Sequence, residues 1–360
     1  MDRARRPIKA AGSVNSKIHR DLREIIMENT LYFLPAKSVF RFSSVCRDWK
    51  LWIHTPFFKH NQSNSFSSIS GFFCQQPGEP PSFLSLEHMA FGLPDPSLSF
   101  LPEEVDLRSS SNGLICCQGR SKDKSYYICN PVNKQFKKLS KPNADHGNEP
   151  AVVLIFEPSR LNFVAEFELV CAFQSTDFDN AYEFEIYNSA NGSWKVSGEI
   201  CFGNRRLEPR SGVHVKGTVY WKVHHGGVLA FDLNKDRSQL IPYGTRGSLG
   251  KMYGKVCTAD ATSNCIRVSI LSNMYTNTME MSSHVKTWEE KLHIPLSSSS
   301  LGGVPLDPHP SIRFAGENVA VIQNHSSLFS YDRKTQNFKL LAKSEYASWF
   351  IPYVNSLVEL

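Results

Sequence analysis

The chain holds 360 residues, 41% of them hydrophobic and 21% charged, which gives it material for a real core; at this length one large domain plus a smaller one is expected. No apolar run approaches the roughly 18 residues of a transmembrane helix, so a helical membrane protein is excluded. The net charge of +6 is uneven: residues 1–65 hold 12 Lys/Arg against 5 Asp/Glu, while 66–360 hold 28 against 29, which argues against a nucleic-acid footprint across the larger part.

Residues 1–16 read as a basic tail, and 1–12 lack the apolar stretch of a signal peptide. A cytoplasmic or nuclear location is therefore expected, with no membrane partner. The nine cysteines are scattered, and the one adjacent pair, Cys116-Cys117, lies in an apolar run. Buried reduced thiols are expected rather than disulfides or metal ligands.

From 17 to 60 the pattern is helical. Leu22, Ile25, Ile26, Asn29, Thr30 and Phe33 recur at three- and four-residue steps up to Leu34-Pro35. Pro35 removes a backbone donor and pushes Leu34 out of the helical region, so one helix ends and another begins there. The second helix spans 36–44 and the third 46–54, with Pro56 as its stop. Three helices in so few residues make a very small core. Such a module is either a satellite packed on the main domain or an apolar docking face for another protein, and periodicity leaves both open.

The run Leu34-Pro35-Ala36-Lys37-Ser38-Val39-Phe40-Arg41-Phe42-Ser43-Ser44-Val45-Cys46-Arg47-Asp48-Trp49-Lys50 resembles the second half of an F-box. Trp52-Ile53, Pro56-Phe57-Phe58 and His60 continue the likeness. Upstream, Arg23 stands where the family usually has Pro, and Asn29-Thr30 replace its usual Glu-Ile. The resemblance implies binding to a Skp-type adaptor and through it to a cullin. It implies contact through Leu31, Leu34, Pro35, Ser38, Val39, Phe42, Val45, Cys46 and Trp49. The basic excess of the module fits an acidic partner.

Residues 61–68, rich in Asn, Gln and Ser, read as a linker. Beyond it, short apolar runs bounded by Gly, Pro, Asn and Asp give strand signals, as in Gly113-Leu114-Ile115-Cys116-Cys117 and Thr218-Val219-Tyr220-Trp221. A unit recurs with starts at Cys129, Tyr187, Phe231, Met281 and Tyr331, separated by 58, 44, 50 and 50 residues. In four of the five an aromatic lies seven residues on: Phe136, Trp194, Trp288 and Phe338; the third has Ser238 there. The pattern predicts a hairpin in each unit. Units of this length suit propeller blades of about four strands, with a β-sandwich as the alternative. Strands at 70–75 and 81–86 are expected to add a sixth unit. The final stretch, 348–360, is expected to pair with the earlier of them and close the ring.

This region, 69–360, is similar to the F-box-associated domain of plant F-box and kelch-like proteins. The likeness rests on Ser111-Asn112-Gly113-Leu114-Ile115-Cys116, on Asn130-Pro131 followed by Phe136 and Leu139, on Val228-Leu229-Ala230-Phe231-Asp232-Leu233, and on Pro352-Tyr353-Val354-Asn355-Ser356-Leu357. Paired glycines at kelch spacing are not clear, so the domain is expected to be propeller-like rather than kelch.

Chemistry-bearing motifs are sparse. Gly244 to Lys251 matches a phosphate loop only loosely, because Met252 replaces the magnesium-binding hydroxyl. His224-His225 reads as a turn, and Cys257 and Cys265 as strand residues across a hairpin. Arg205-Arg206 and Arg210 read as a solvated basic loop. The expected architecture is thus multidomain: a small all-α N-terminal module and a large all-β propeller-like domain. The expected function is a non-catalytic substrate-recognition subunit of a Skp–cullin–F-box ubiquitin ligase, with an unidentified target protein, no cofactor, no metal and no nucleic acid. The alternative is a carbohydrate-binding or hydrolytic propeller with a helical cap.

Overall fold

The computed structural model describes residues 25–26, 29–87, 89, 91–161, 163–203, 206–224, 226–241, 247–275, 284–343 and 349–360. Several sequence expectations lie outside these residues: the basic tail, Leu22 and Arg23, Arg205, His225, the start of the glycine-rich loop at 244, and the fourth repeat start Met281-Ser282.

Among the described residues the N-terminal module has a 3₁₀ turn, Leu31–Phe33, and three helices with assigned bounds, α1 (Ala36–Phe42), α2 (Arg47–Ile53) and α3 (Pro56–Ser65); Ile25, Ile26 and Asn29 are also helical. Leu34 and Pro35 are extended, and Pro35 caps α1 from outside rather than forming its first turn. Cys46 caps α2, its Sγ accepting from the Trp49 amide at 3.4 Å. Thr55 caps α3 through Oγ1, which accepts from the Phe58 amide at 3.2 Å. Pro56 ends α2 as expected but also opens α3, because a first-turn proline sacrifices no intrahelical bond. The expected linker at 61–68 is consequently helical as far as Ser65. Its Gln62 and Ser63 are buried, which hydrophobic patterning does not flag.

The remaining strands form six sheets arranged as the blades of a propeller. Blade 1 holds β3 (Val105–Ser111), β4 (Leu114–Gly119), β5 (Tyr126–Asn130) and β6 (Gln135–Lys138). Blade 2 holds β7 (Ala151–Phe156), β8 (Phe167–Gln174), β9 (Ala181–Asn188) and β10 (Ser193–Phe202). Blade 3 holds β11 (Val213–Val215), β12 (Thr218–Lys222), β13 (Val228–Asp232) and β14 (Arg237–Ile241). Blade 4 holds β15 (Ser248–Met252), β16 (Lys255–Ala261), β17 (Cys265–Tyr275) and β18 (His284–Pro295). Blade 5 holds β19 (Ser311–Ala315), β20 (Val319–Asn324), β21 (Ser327–Asp332) and β22 (Asn337–Lys343). The closing sheet joins β1 (Ile69–Gln75) and β2 (Ser82–Ser85) to β23 (Trp349–Val354), so the two ends of the chain complete one blade and remove two sheet edges. The first strands of blades 1–5 and β23 neighbour one another in a ring around the axis.

The seven-residue spacing in the sequence is a cross-strand pair. Cys129 stands opposite Phe136, Tyr187 opposite Trp194, Phe231 opposite Ser238 and Tyr331 opposite Phe338. Blade 4 differs: its last two strands are long, and Trp288 stands opposite Leu271.

The chain after β23 is the junction of the whole molecule. Asn130 Nδ2 donates to the carbonyls of Ser356 (3.0 Å) and Val358 (2.8 Å), while its Oδ1 accepts from Tyr353 Oη and the Val132 amide. Gln62 Nε2 donates to the Leu34 carbonyl and its Oε1 accepts from the Leu357 amide, both within 2.9 Å. The Ala36 amide donates to the Asn355 carbonyl. Around these bonds Leu31, Ala36, Val39, Trp49, Ile53 and Phe58 share one apolar core with Phe73, Leu107, Tyr353 and Leu357 of the propeller. The helical module is welded to the ring, not tethered to it.

Two further constraints are local. Asn112 (φ 44°) and Gly113 (φ 99°) make a two-residue hairpin turn that needs left-handed backbone, and a Cβ on Gly113 would lie 2.6 Å from Ser356 Cβ. Between blades 1 and 2, buried Glu185 accepts from His146 Nε2 (2.8 Å), Asn143 Nδ2 (2.7 Å) and the amides of Asn143 and Ala144. His146 Nδ1 pairs with Tyr126 Oη at 2.9 Å, and the ring stacks on Phe173. Burial works against the Glu185 charge, but these hydrogen bonds outweigh it and hold the carboxyl below its ordinary range.

Two outcomes are expected. Gly113→Ala combines left-handed strain with overpacking and lowers stability by about 3 kcal/mol. Gly192→Ala, at φ 66° with no atom within 4 Å, costs only about 1 kcal/mol. Denaturant midpoints of the two variants check the difference, and equal losses would refute the contact with Ser356. Because Glu185 is depressed in the folded state, its contribution is complete above the unfolded carboxyl value of about 4.3 and is lost as pH falls below that value through the folded one. Stability–pH curves of Glu185→Gln are therefore expected to lie below wild type at neutral pH and to converge with it in acid.

Candidate functional site

Strand direction divides the propeller into two faces. The first strand of each blade and β23 all run the same way along the axis. Their C-terminal ends, with the hairpin turns at 112–113, 216–217, 253–254 and 316–318, lie on the face that carries the helical module. The opposite face collects the connections between blades and the loops between second and third strands.

On the module, the residues expected to bind an adaptor separate into two groups. Leu31, Pro35, Val39 and Trp49 are buried in the core shared with the propeller. Leu34, Ser38 and Cys46 are half-buried, and the Leu34 carbonyl and Cys46 Sγ already accept hydrogen bonds. Phe42 and Val45 face solvent, Val45 with 61% of its surface exposed. Four more apolar side chains of the module stand exposed, outside the expected contact set: Phe33, Phe40, Leu51 and Phe57. Helical position carries the distinction in α1, where Ala36 and Val39 share the buried side three residues apart, leaving Phe40 and Phe42 outside it. Singly exposed apolar side chains are ordinary on a protein surface; a contiguous group of large ones is what marks an interaction surface.

Between the two faces runs the central channel, a cavity of about 1110 Å³ lined by residues of all six blades. Arg210, expected as a solvated basic residue, instead crosses the channel mouth half-buried. Its Nε donates to the Leu107 carbonyl (2.9 Å), its Nη1 pairs with Glu149 Oε2 (2.6 Å), and its guanidinium lies 3.4 Å from the Trp349 ring centroid. Burial lowers Arg210 to about 10, with Glu149 opposing the shift. Glu149 also holds buried Arg108, and it is itself kept below the ordinary carboxyl range: burial raises it, and the two guanidinium groups outweigh that. Arg206 remains exposed. On the face opposite the module Phe178 and Phe202 form an exposed edge-to-face pair with centroids 5.6 Å apart. His224 lies in an exposed turn. Cys257 and Cys265 lie on β16 and β17 but are not opposite each other. All nine cysteines are free thiols. Among the described residues no group of three His, Cys, Asp or Glu side chains is placed to hold a metal.

Comparison with known proteins agrees with this geometry. The F-box domain family matches residues 23–61, and the family described as "F-box protein At3g26010-like, beta-propeller" matches residues 88–356. Among Arabidopsis thaliana relatives, F-box protein At5g49610 is 25% identical over 91% of this chain and 93% of its own. The putative F-box/kelch-repeat protein At1g15680 is 25% identical over 90% of this chain and 84% of its own. Among solved structures, that of U3-55K aligns over 79% of this chain and 78% of its own at 12% identity, with a TM-score of 0.38. An N-terminal F-box fused to a six-bladed ring, each part matched by its own family, places the chain in the family of F-box proteins with an F-box-associated β-propeller.

Proposed function

We propose that this chain is the substrate-recognition subunit of a Skp–cullin–F-box ubiquitin ligase, working in the cytoplasm or nucleus. The observation that carries the reading is the two-sided helical module. One side is buried in the propeller; the other leaves Phe33, Phe40, Phe42 and Val45 in solvent. In this reading the exposed side docks a Skp-type adaptor and through it the cullin. Phe42 and Val45, with the accessible parts of Leu34, Ser38 and Cys46, make the contact. Leu31, Pro35, Val39 and Trp49 support it by shaping the core.

The mechanism is proximity. The target is held at the propeller, and the fixed junction keeps it at a set distance from the ubiquitin-carrying enzyme, raising the effective concentration of its lysines. No residue of this chain acts as acid, base or nucleophile.

A Phe42→Ala/Val45→Glu double variant of the full chain is expected to bind a purified Skp-type adaptor at least about tenfold more weakly, the loss of a small hot spot, while staying folded, with its unfolding midpoint lowered only by the loss of the Phe42 contact with Trp49. Leu31→Ala is expected to lower the midpoint more. Calorimetric titration against the adaptor, alongside thermal unfolding, reads both; wild-type affinity in the folded double variant would refute the docking surface.

A further inference from the structure

One side-chain arrangement occurs twice in the ring and is completed only once. In blade 1 the first strand bulges between Leu107 and Ser109, and the bulged residue is Arg108. In blade 5 the first strand bulges between Ile312 and Phe314, and the bulged residue is Arg313. A bulge re-aims one side chain relative to its neighbours. Each of these arginines then donates from Nε to the glutamine ten residues on, which sits on the adjacent strand: Arg108 to Gln118 Oε1 at 3.0 Å, and Arg313 to Gln323 Oε1 at 2.7 Å.

The two copies differ at the other end of the guanidinium. Arg108 is fully sequestered, its Nη1 on Glu149 Oε2 at 3.2 Å and its Nη2 on the Asn148 carbonyl at 2.5 Å. Arg313 is half-buried and lines the central channel, and among the described residues it has no carboxylate partner and no acceptor besides Gln323. The other charged groups lining that half of the channel are already engaged: Arg210 with Glu149, Lys222 with Glu208, Asp260 with Arg267. Lys251, near the module-side end of β15, and Lys334, in the turn after β21, also line it. Burial disfavours the Arg313 cation, pulling its pKa down, with the Cys74 thiol the one opposing influence. A partly desolvated cation without a counter-charge costs stability, which makes its position one where a ligand's negative charge would be stabilising.

The geometry points to Arg313 as the anchor for an oxyanion of the bound target, a carboxylate or phosphoryl group presented to the channel from the face opposite the F-box. In blade 1 the protein supplies that group itself, as Glu149; in blade 5 the ligand would supply it, meeting the guanidinium edge that Gln323 orients. This reading rests on the proposed receptor role and adds the chemistry that the target must offer.

The test uses the full chain and thermal unfolding with sodium phosphate, sodium succinate and sodium chloride at matched ionic strength. Wild type is expected to gain about 2 °C over chloride near ten times the dissociation constant of the ion that fits. A gain in phosphate alone identifies a phosphoryl group, and a gain in succinate identifies a carboxylate. Arg313→Gln should abolish the gain. In chloride alone Arg313→Met should raise the midpoint, whereas Arg108→Met should lower it. No gain over chloride in either ion, a gain that survives Arg313→Gln, or a lowered midpoint in Arg313→Met would each overturn the proposal. Adaptor binding by Arg313→Gln, which leaves the helical module untouched, reads the receptor role separately.

Discussion

Ring closure by the C-terminal segment is the constraint on which the rest depends. The ring holds together only when the blade that carries the two chain ends is completed, and here the innermost strand of that blade is the last strand of the chain. The same segment then continues as residues 355–360 into a space bounded by the helical module, blade 1 and the start of blade 2. Its backbone would leave buried carbonyl and amide groups unpaired there, a cost of about 1–3 kcal/mol for each. Asn130 and Gln62 remove that cost with side-chain amides used at both ends. Lys59 adds a partly exposed pair to Glu359 at 2.6 Å, which contributes little by comparison. The ring and the seat of the module are therefore coupled through residues 355–360.

Much of the ring was legible in the sequence because its hairpins are short. When the turn is tight, residue i stands opposite residue i+7, so packing across the hairpin writes a fixed spacing into the chain. Closure by 348–360 was legible for the same reason: an apolar strand with no local partner must find one elsewhere. The motif Asn130-Pro131 and the closing Asn355-Ser356-Leu357 were also visible, but not that they touch, since nothing local links residues more than 220 positions apart. Helix α3 was hidden by composition. Its inward-facing residues include His60, Gln62 and Ser63, which are buried because they bond to backbone rather than because they are apolar.

The adaptor surface shows a different limit. A family resemblance preserves both the residues that build a small helical core and those that the core displays, and a motif does not separate them. Leu31, Val39 and Trp49 belong to the first kind, and Phe42 and Val45 to the second. In a module this small the first kind matters to binding too, since three short helices cannot hold a face in place without the core beneath it. Here that core is borrowed: Phe73, Tyr353 and Leu357 of the propeller complete it. Under the proposed function, such a junction would fix the geometry between the two surfaces, and flexibility in placing a target would come from the target or from the ligase scaffold.

Charge explains why target recognition left so little trace in the sequence. Outside the N-terminal region the positive and negative residues nearly balance, 28 against 29. Several charged groups of the ring are spent on internal pairs: Arg120 on Asp106 and Glu104, Arg210 on Glu149, Arg237 on Glu199, Lys222 on Glu208. Such a surface has little long-range field to steer a partner, and screening at physiological salt shortens what remains to about 8 Å. If the face opposite the F-box binds a target as proposed, recognition there would rest on contact: an exposed aromatic pair, Phe178 with Phe202, and the few polar groups in the channel that their own neighbours leave unsatisfied. Composition averages such groups away, and no spacing marks them, because what distinguishes Arg313 from Arg108 is a carboxylate contributed by the connection that follows blade 1.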